Sequence, residues 1–228
     1  MAGRGQRSFV SFPLFAARLY DSLMRKKMMR RQYQEIASDL VSRIDFGRIL
    51  DVGTGPGRLL FEIHQLNPAL ELFGLDISAS MVEIARRHLS GLGADVRRGD
   101  IRQSDYEENF FDVVTCTGSF YLWDFPKECL EEIFRILKPR QSAYLFETYR
   151  ECDRNAVRRA MSMNLEQESL FTRMLAPRLF MKQLRMTYKT TEIAEIIEQT
   201  RFAHSYTIDH ISLTRTPAWL RIRLIKEA

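Results

Sequence analysis

Three aspartates and three glycines in the first half of the chain are the residue types most able to do chemistry. Asp51 closes the apolar run "RILDV", and Gly53, Gly55 and Gly57 follow at G-x-G-x-G spacing. Asp76 ends a second apolar run, and Asp100 lies in "GDI" at 99–101. Bare backbone beside a carboxylate can hold a ligand closely, and two ligand classes compete for it. A dinucleotide pyrophosphate calls for G-x-G-x-x-G with an acidic residue about 20 positions later. The spacing here is shorter, and Pro56 removes one backbone N–H from the loop. Asp51 would repel a pyrophosphate but attract an ammonium or sulfonium group. The Asp76 carboxylate can accept from two ribose hydroxyls, which suits either class. Asp100 can accept from an adenine amino group while Ile77 and Ile101 pack on the faces of the ring. A cationic ligand bearing an adenosine fits this pattern better than a pyrophosphate.

Those residues need a frame that brings them together. From Ile49 onward, short β-rich runs alternate with helical patterns, which predicts stacked βαβ units and a parallel sheet. Strands are expected at 48–52, 69–77, 94–101, 110–118 and 142–148. Helices are expected through "GRLLFEIHQL", "SASMVEIARRHL" with Ser78 as N-cap, and "PKECLEEIFRILKP" from Pro126 to Pro139. Residues 150–189 contain no convincing strand and read as helices. The alternation resumes with "TTEIAEIIEQT" and two strands, "SYTIDHIS" and "WLRIRLIK", close enough in sequence to form an antiparallel edge hairpin. The expected fold is α/β: a Rossmann-like, doubly wound, seven-stranded, mostly parallel sheet. Within one structural domain, 1–45 would form an N-terminal helical cover and 150–189 a helical lid insertion. Residues 46–149 and 190–228 would form the core. Ligands of such sheets sit beyond the carboxyl ends of the strands, where the glycine loop falls.

The 228 residues, 45% hydrophobic and 28% charged, suit one soluble domain. No apolar run approaches the ~20 residues of a membrane span, and the N-terminus lacks a signal-peptide core. A cytoplasmic protein is expected. Cys116, Cys129 and Cys152 form no C-x-x-C pair, so neither a disulfide framework nor a structural zinc site is expected, and no metal site is. The net charge of +5 is unevenly placed. Residues 1–43 hold nine Lys/Arg against three Asp/Glu, residues 150–189 nine against four, and the remainder 16 against 22. Solvated helix faces account for such segments; flanking a site that takes anionic material is the sharper reading.

"ILDVGTGPGRLL", "GLDISASMVEIAR", "GDI", "FFDVVTCTGSFYLW" and "EEIFRILKP", in this order, resemble the class I S-adenosylmethionine-dependent methyltransferases. Within these they are most similar to the small-molecule branch that includes ubiquinone/menaquinone C-methyltransferase-like proteins. The resemblance is good over roughly 46–148 and poor over 1–45 and 150–189. It implies S-adenosyl-L-methionine as cofactor. Asp51 with the backbone of Gly53 and Gly55 would hold its methionine moiety, and Asp76 its ribose. Ile77, Asp100 and Ile101 would hold its adenine, and Thr117 and Gly118 would line the methionine end. Tyr20 resembles a tyrosine that often closes over the cofactor. Two departures stand out. "KPRQ" at 138–141 replaces the usual K-P-G-G, and Tyr121 and Leu122 precede Trp123 where relatives often carry a histidine pair.

Methyl transfer needs alignment and exclusion of water more than a dedicated base, and no acid–base dyad stands out. Tyr121, Trp123 and Tyr149 are the candidates near the acceptor, with ordinary core packing as the competing reading. The methionines of 161–186 read as core, though they also suit a pocket for varied apolar substrates. The acceptor is expected to be a small molecule, anionic or apolar. The basic segments leave an RNA methyltransferase as an alternative, although no N-P-P-Y-type loop follows the fourth strand and no RNA-binding module is visible. A non-catalytic, cofactor-binding partner subunit is the third reading.

Overall fold

Seven strands form one sheet: β1 (Gly47–Val52), β2 (Leu70–Asp76), β3 (Asp95–Arg98), β4 (Phe111–Thr117), β5 (Leu137–Thr148), β6 (Tyr206–Leu213) and β7 (Thr216–Ile225). Their order in space is β3-β2-β1-β4-β5-β7-β6. β1 to β5 run parallel, and β7 lies antiparallel between β5 and β6. This is the expected Rossmann-like sheet with its edge hairpin. The computed structural model describes residues 27–228.

The central strands read as unbroken apolar runs because both faces of the sheet are covered. Successive side chains enter opposite layers. Ile49, Val113, Tyr144 and Phe146 join one core, while Leu50, Val52, Val114, Cys116, Ala143 and Leu145 join the other. The first core is closed by α1 (Lys27–Val41), α2 (Arg58–Leu66), α3 (Ala79–His88), α5 (Arg154–Asn164) and α6 (Leu170–Leu184). The second is closed by α4 (Pro126–Ile136) and α7 (Thr190–Ile197). Ser78 caps α3, its hydroxyl accepting from the Met81 N–H at 3.4 Å, and Pro126 opens α4.

α1 belongs to the first layer: Ile36, Ala37 and Leu40 bury against Leu59, Leu60 and Ile63 of α2. Arg30 pairs with Glu62, and Arg221 of β7 bridges Asp39 and Asp209 at 2.9 Å each. α5 is likewise tied down through Val157 and Met161, which share that core with Trp219 of β7.

Among the boundaries that differ from the sequence reading, two stand out. α4 ends at Ile136 and not at Pro139, and β5 begins at once, pairing Leu137 with Phe111. "KPRQ" is therefore an irregularity inside β5, where Arg140 adopts φ 65° and its N–H donates to the Lys226 carbonyl. β3 stops at Arg98, so Gly99 and Asp100 leave the sheet before a short 3-10 turn, Ile101–Gln103. Among the described residues, no helix is long and apolar enough to cross a membrane.

Candidate functional site

The register assembles the site. Val52 at the end of β1 lies beside Leu75 of β2 and Cys116 of β4, and Thr117 lies beside Phe146 of β5. The loops after β1, β2, β3 and β4 therefore leave from one rim of the sheet, with Asp51 and Asp76 at the ends of the neighbouring strands β1 and β2.

The glycine loop is fastened to β2 by its own backbone. Gly53 N–H and Thr54 N–H both donate to the Leu75 carbonyl, at 2.8 and 3.1 Å. Gly53, Gly55 and Gly57 take φ of 72°, 53° and 73°, a left-handed region that side chains rarely adopt. Gly53 also permits a close approach: a Cβ there would stand 2.3 Å from Ser119 Oγ. Nothing lies within 4 Å of a Cβ built on Gly55, so the backbone there faces open space. His88 supports the loop from behind. Its Nδ1 donates to the Pro56 carbonyl at 3.1 Å, which leaves Nε2 to accept from Arg58 at 2.7 Å.

Asp51 is 2% exposed, and its Oδ1 is buried without a hydrogen-bond partner. Burial pushes its carboxyl up to about 7, and the Asp76 charge adds to the rise. Thr54 Oγ1 and Thr117 Oγ1 are buried without partners as well. Orphaned polar atoms of this kind are rare in folded proteins, and each calls for a partner such as a water, an ion or a ligand.

Asp76 is held ready. Its Oδ2 accepts from Gly55 N–H and its Oδ1 from Ser78 N–H, both at 2.8 Å. Burial raises its carboxyl, and these two bonds oppose the rise. Ile77, the next residue, is exposed at the rim, and Ile101 is buried. Asp100 caps the 3-10 turn and is gripped by Arg102, whose side chain reaches it at 2.6 to 3.2 Å. That pairing holds its carboxyl below the usual range. Asp100 therefore stands at the rim paired with a cation.

Gly118, φ 62°, donates its N–H to the Phe146 carbonyl at 2.8 Å and leaves open space beside its Cα. Tyr121 follows on a 3-10 turn, Phe120–Leu122. Trp123 packs edge-on against Phe120 at 5.1 Å and belongs partly to the second core. Tyr149 meets the His210 ring of β6 edge-on at 4.9 Å, so it is turned toward the edge hairpin. Tyr20 lies outside the described residues.

Glu147 was missed by sequence reasoning. It is fully buried near the end of β5, and among the described residues it makes no ion pair. Its Oε1 accepts from Thr148 N–H at 2.8 Å and its Oε2 from Tyr121 N–H at 3.2 Å. Burial pushes its carboxyl up to about 7 against those bonds. The side chain thus ties β5 to the segment that carries Tyr121. A lone acid within the apolar run "SAYLFET" was the available signal, since a buried carboxylate must be anchored by something.

Among the described residues, no group of three or more His, Cys, Asp and Glu is arranged to hold a metal ion. The sheet order, the positive-φ glycine loop and the acidic end of β2 define a Rossmann-like domain built for an adenosine-bearing ligand. The methyltransferase-domain family profile matches residues 45–201, and the chain belongs to that family. It is 29% identical over 105 residues to the uncharacterised methyltransferase YdaC of Bacillus subtilis, covering 46% of this chain and 58% of that protein. It is 31% identical over 123 residues to the ubiquinone/menaquinone biosynthesis C-methyltransferase UbiE of Desulfotalea psychrophila, covering 53% of this chain and 50% of that one. The chain thus spans about half the length of these relatives. Among solved structures, a SAM-dependent methyltransferase from Aquifex aeolicus superposes with a TM-score of 0.66 at 16% identity, covering 94% of this chain and 99% of that one. A protein of Methanococcus maripaludis reaches 0.72 at 21% identity, covering 94% of each chain.

Proposed function

We propose that the chain binds S-adenosyl-L-methionine beyond the ends of β1, β2 and β4 and transfers its methyl group to a small organic molecule. One observation carries the reading: the buried, unpartnered Asp51 Oδ1 lies beneath a glycine loop with open backbone at Gly55. A ligand ammonium would satisfy that oxygen and favour its ionised form. The ribose hydroxyls would meet Asp76, whose oxygens keep further lone pairs. Ile77 and Ile101 would flank the adenine, with Asp100 at its edge, and Thr117 and Gly118 would line the methionine end.

The bound cofactor would supply a sulfonium methyl with a neutral thioether as leaving group. The chain's own work is then alignment and exclusion of water. Held by Asp51, Gly53, Gly55 and Asp76, the cofactor would give that methyl to a lone pair of the acceptor and keep the C–S electron pair on sulfur, and any acceptor proton would pass to solvent. Tyr121, held through its N–H by Glu147, would orient the acceptor. In this reading residues 150–189 act as a cover, because they leave from β5 at the same rim. The relative named for ubiquinone/menaquinone biosynthesis supports a small organic acceptor over RNA.

The test is to incubate the protein with isotopically labelled S-adenosylmethionine and, separately, a small-molecule extract and total RNA. Label in small molecules, read by mass spectrometry, is the expected result. Label confined to RNA would replace the acceptor assignment, and label in neither would favour a non-catalytic subunit.

A further inference from the structure

Helix α6 carries apolar residues on two sides. Ala176, Phe180, Met181 and Leu184 pack against the first core. On the other side Met174, Leu175 and Leu179 stay 61%, 37% and 47% exposed. Helical steps of about 100° interleave them with exposed Arg178, Lys182 and, just past the helix end, Arg185. Residues 169–191 hold five Lys/Arg and no Asp or Glu. Among the described residues, Arg173, Arg178, Lys182 and Arg185 make no ion pair. The core explains one face of this helix and leaves the second, apolar and cationic, without a structural reason.

We infer that this outer face of α6 docks the protein on a membrane surface with anionic head groups. Met174, Leu175 and Leu179 enter the boundary between head groups and acyl chains, where exposed aliphatic side chains leave water. Arg178, Lys182 and Arg185 extend to the phosphates, their stems lying along the apolar surface. Charge favours this occupant over the others. A second copy of the chain would set two cationic faces against each other. Residues 1–26 hold five Lys/Arg against one Asp and carry the same sign. A nucleic acid answers the charge but leaves Leu175 and Leu179 unburied.

The test floats the full-length protein with vesicles of phosphatidylcholine alone and of phosphatidylcholine mixed with phosphatidylglycerol. The mixed vesicles are expected to carry the protein, less so as salt rises, and the neutral ones to carry little. Arg178→Gln, Lys182→Gln and Arg185→Gln should each weaken capture roughly fivefold. Leu175→Ser with Leu179→Ser should weaken it further; the cation variants should keep the wild-type melting temperature because those side chains are exposed, and the leucine variant is compared only where its melt shows it folded. Wild-type protein that floats with neither vesicle overturns the inference, as do folded variants that bind like wild type. A self-association lost in these variants, or a salt-sensitive shift with total RNA in place of flotation, overturns it in favour of a second copy or a nucleic acid. None of these readouts depends on methyl transfer.

Discussion

Asp76 and Gly55 are joined across the mouth of the sheet, with the Gly55 N–H donating to Asp76 Oδ2 at 2.8 Å. The glycine loop after β1 and the acidic end of β2 are therefore one unit. Ser78 N–H fixes the other oxygen from the start of α3. A carboxylate held this way meets a ligand already oriented, so less ordering remains to be done on binding.

The two glycines flanking Thr54 should respond differently to alanine. Gly53→Ala places a methyl 2.3 Å from Ser119 Oγ at φ 72°, and should cost about 2–4 kcal/mol of stability. Gly55→Ala meets nothing within 4 Å, so only backbone strain of about 1–2 kcal/mol is expected. Its methyl projects into the proposed ligand space, and S-adenosylhomocysteine affinity should fall at least tenfold. Denaturant melts and calorimetry on both variants check the contrast; equal loss of stability with unchanged affinity for Gly55→Ala would refute it.

Asp51 and Glu147 predict a stability that declines with rising pH. Each is raised to about 7 in the fold, from 3.8 and 4.5. The folded state then holds protons that the unfolded chain releases, so stability is full below about pH 4 and is lost as pH climbs to about 7. Each group accounts for at most about 3–4 kcal/mol. Comparing melts at pH 5 and pH 8, Asp51→Asn should lose less stability than wild type over that interval. An unchanged difference between the two pH values would show that Asp51 is not protonated in the ligand-free protein.

Glu147→Ala removes the acceptor of two backbone N–H groups and opens a cavity under the Tyr121 segment. We expect a loss of about 2–4 kcal/mol, S-adenosylhomocysteine affinity within a few-fold, and methyl transfer reduced more than binding. Calorimetry alongside turnover measures the split, and parallel loss of both would make Glu147 part of the cofactor site.

Much of the frame was legible in the sequence because periodicity and punctuation agreed. The alternation of apolar strands with amphipathic helices marked all seven strands, and the G-x-G-x-G loop after "RILDV" located the rim. What escaped depended on long-range partners. Arg102 was an ordinary cation until the turn after β3 folded it onto Asp100. Pro139 read as a helix stop, but β4 captured Leu137 first. α5 and α6 were legible as helices, whereas α5's place in the first core was not, since nothing local ties Met161 to Trp219.

That placement has its own test. Met161 is 2% exposed in α5, and Met161→Ala should cost about 2–4 kcal/mol. A change under about 0.5 kcal/mol in a denaturant melt, the range of surface substitutions, would show α5 to be detached from the core.

The central claim is that an adenosine-bearing cation binds against Asp51, Gly55 and Asp76. Its most direct measurement is calorimetry of S-adenosylhomocysteine with wild-type protein and with folded Asp76→Ala, alongside NAD. Binding to wild type is expected, weakened in Asp76→Ala by about 1.5–3 kcal/mol through loss of charge-assisted ribose contacts, with no comparable affinity for NAD. Unchanged affinity in Asp76→Ala, or tight NAD binding by wild type, would contradict the claim.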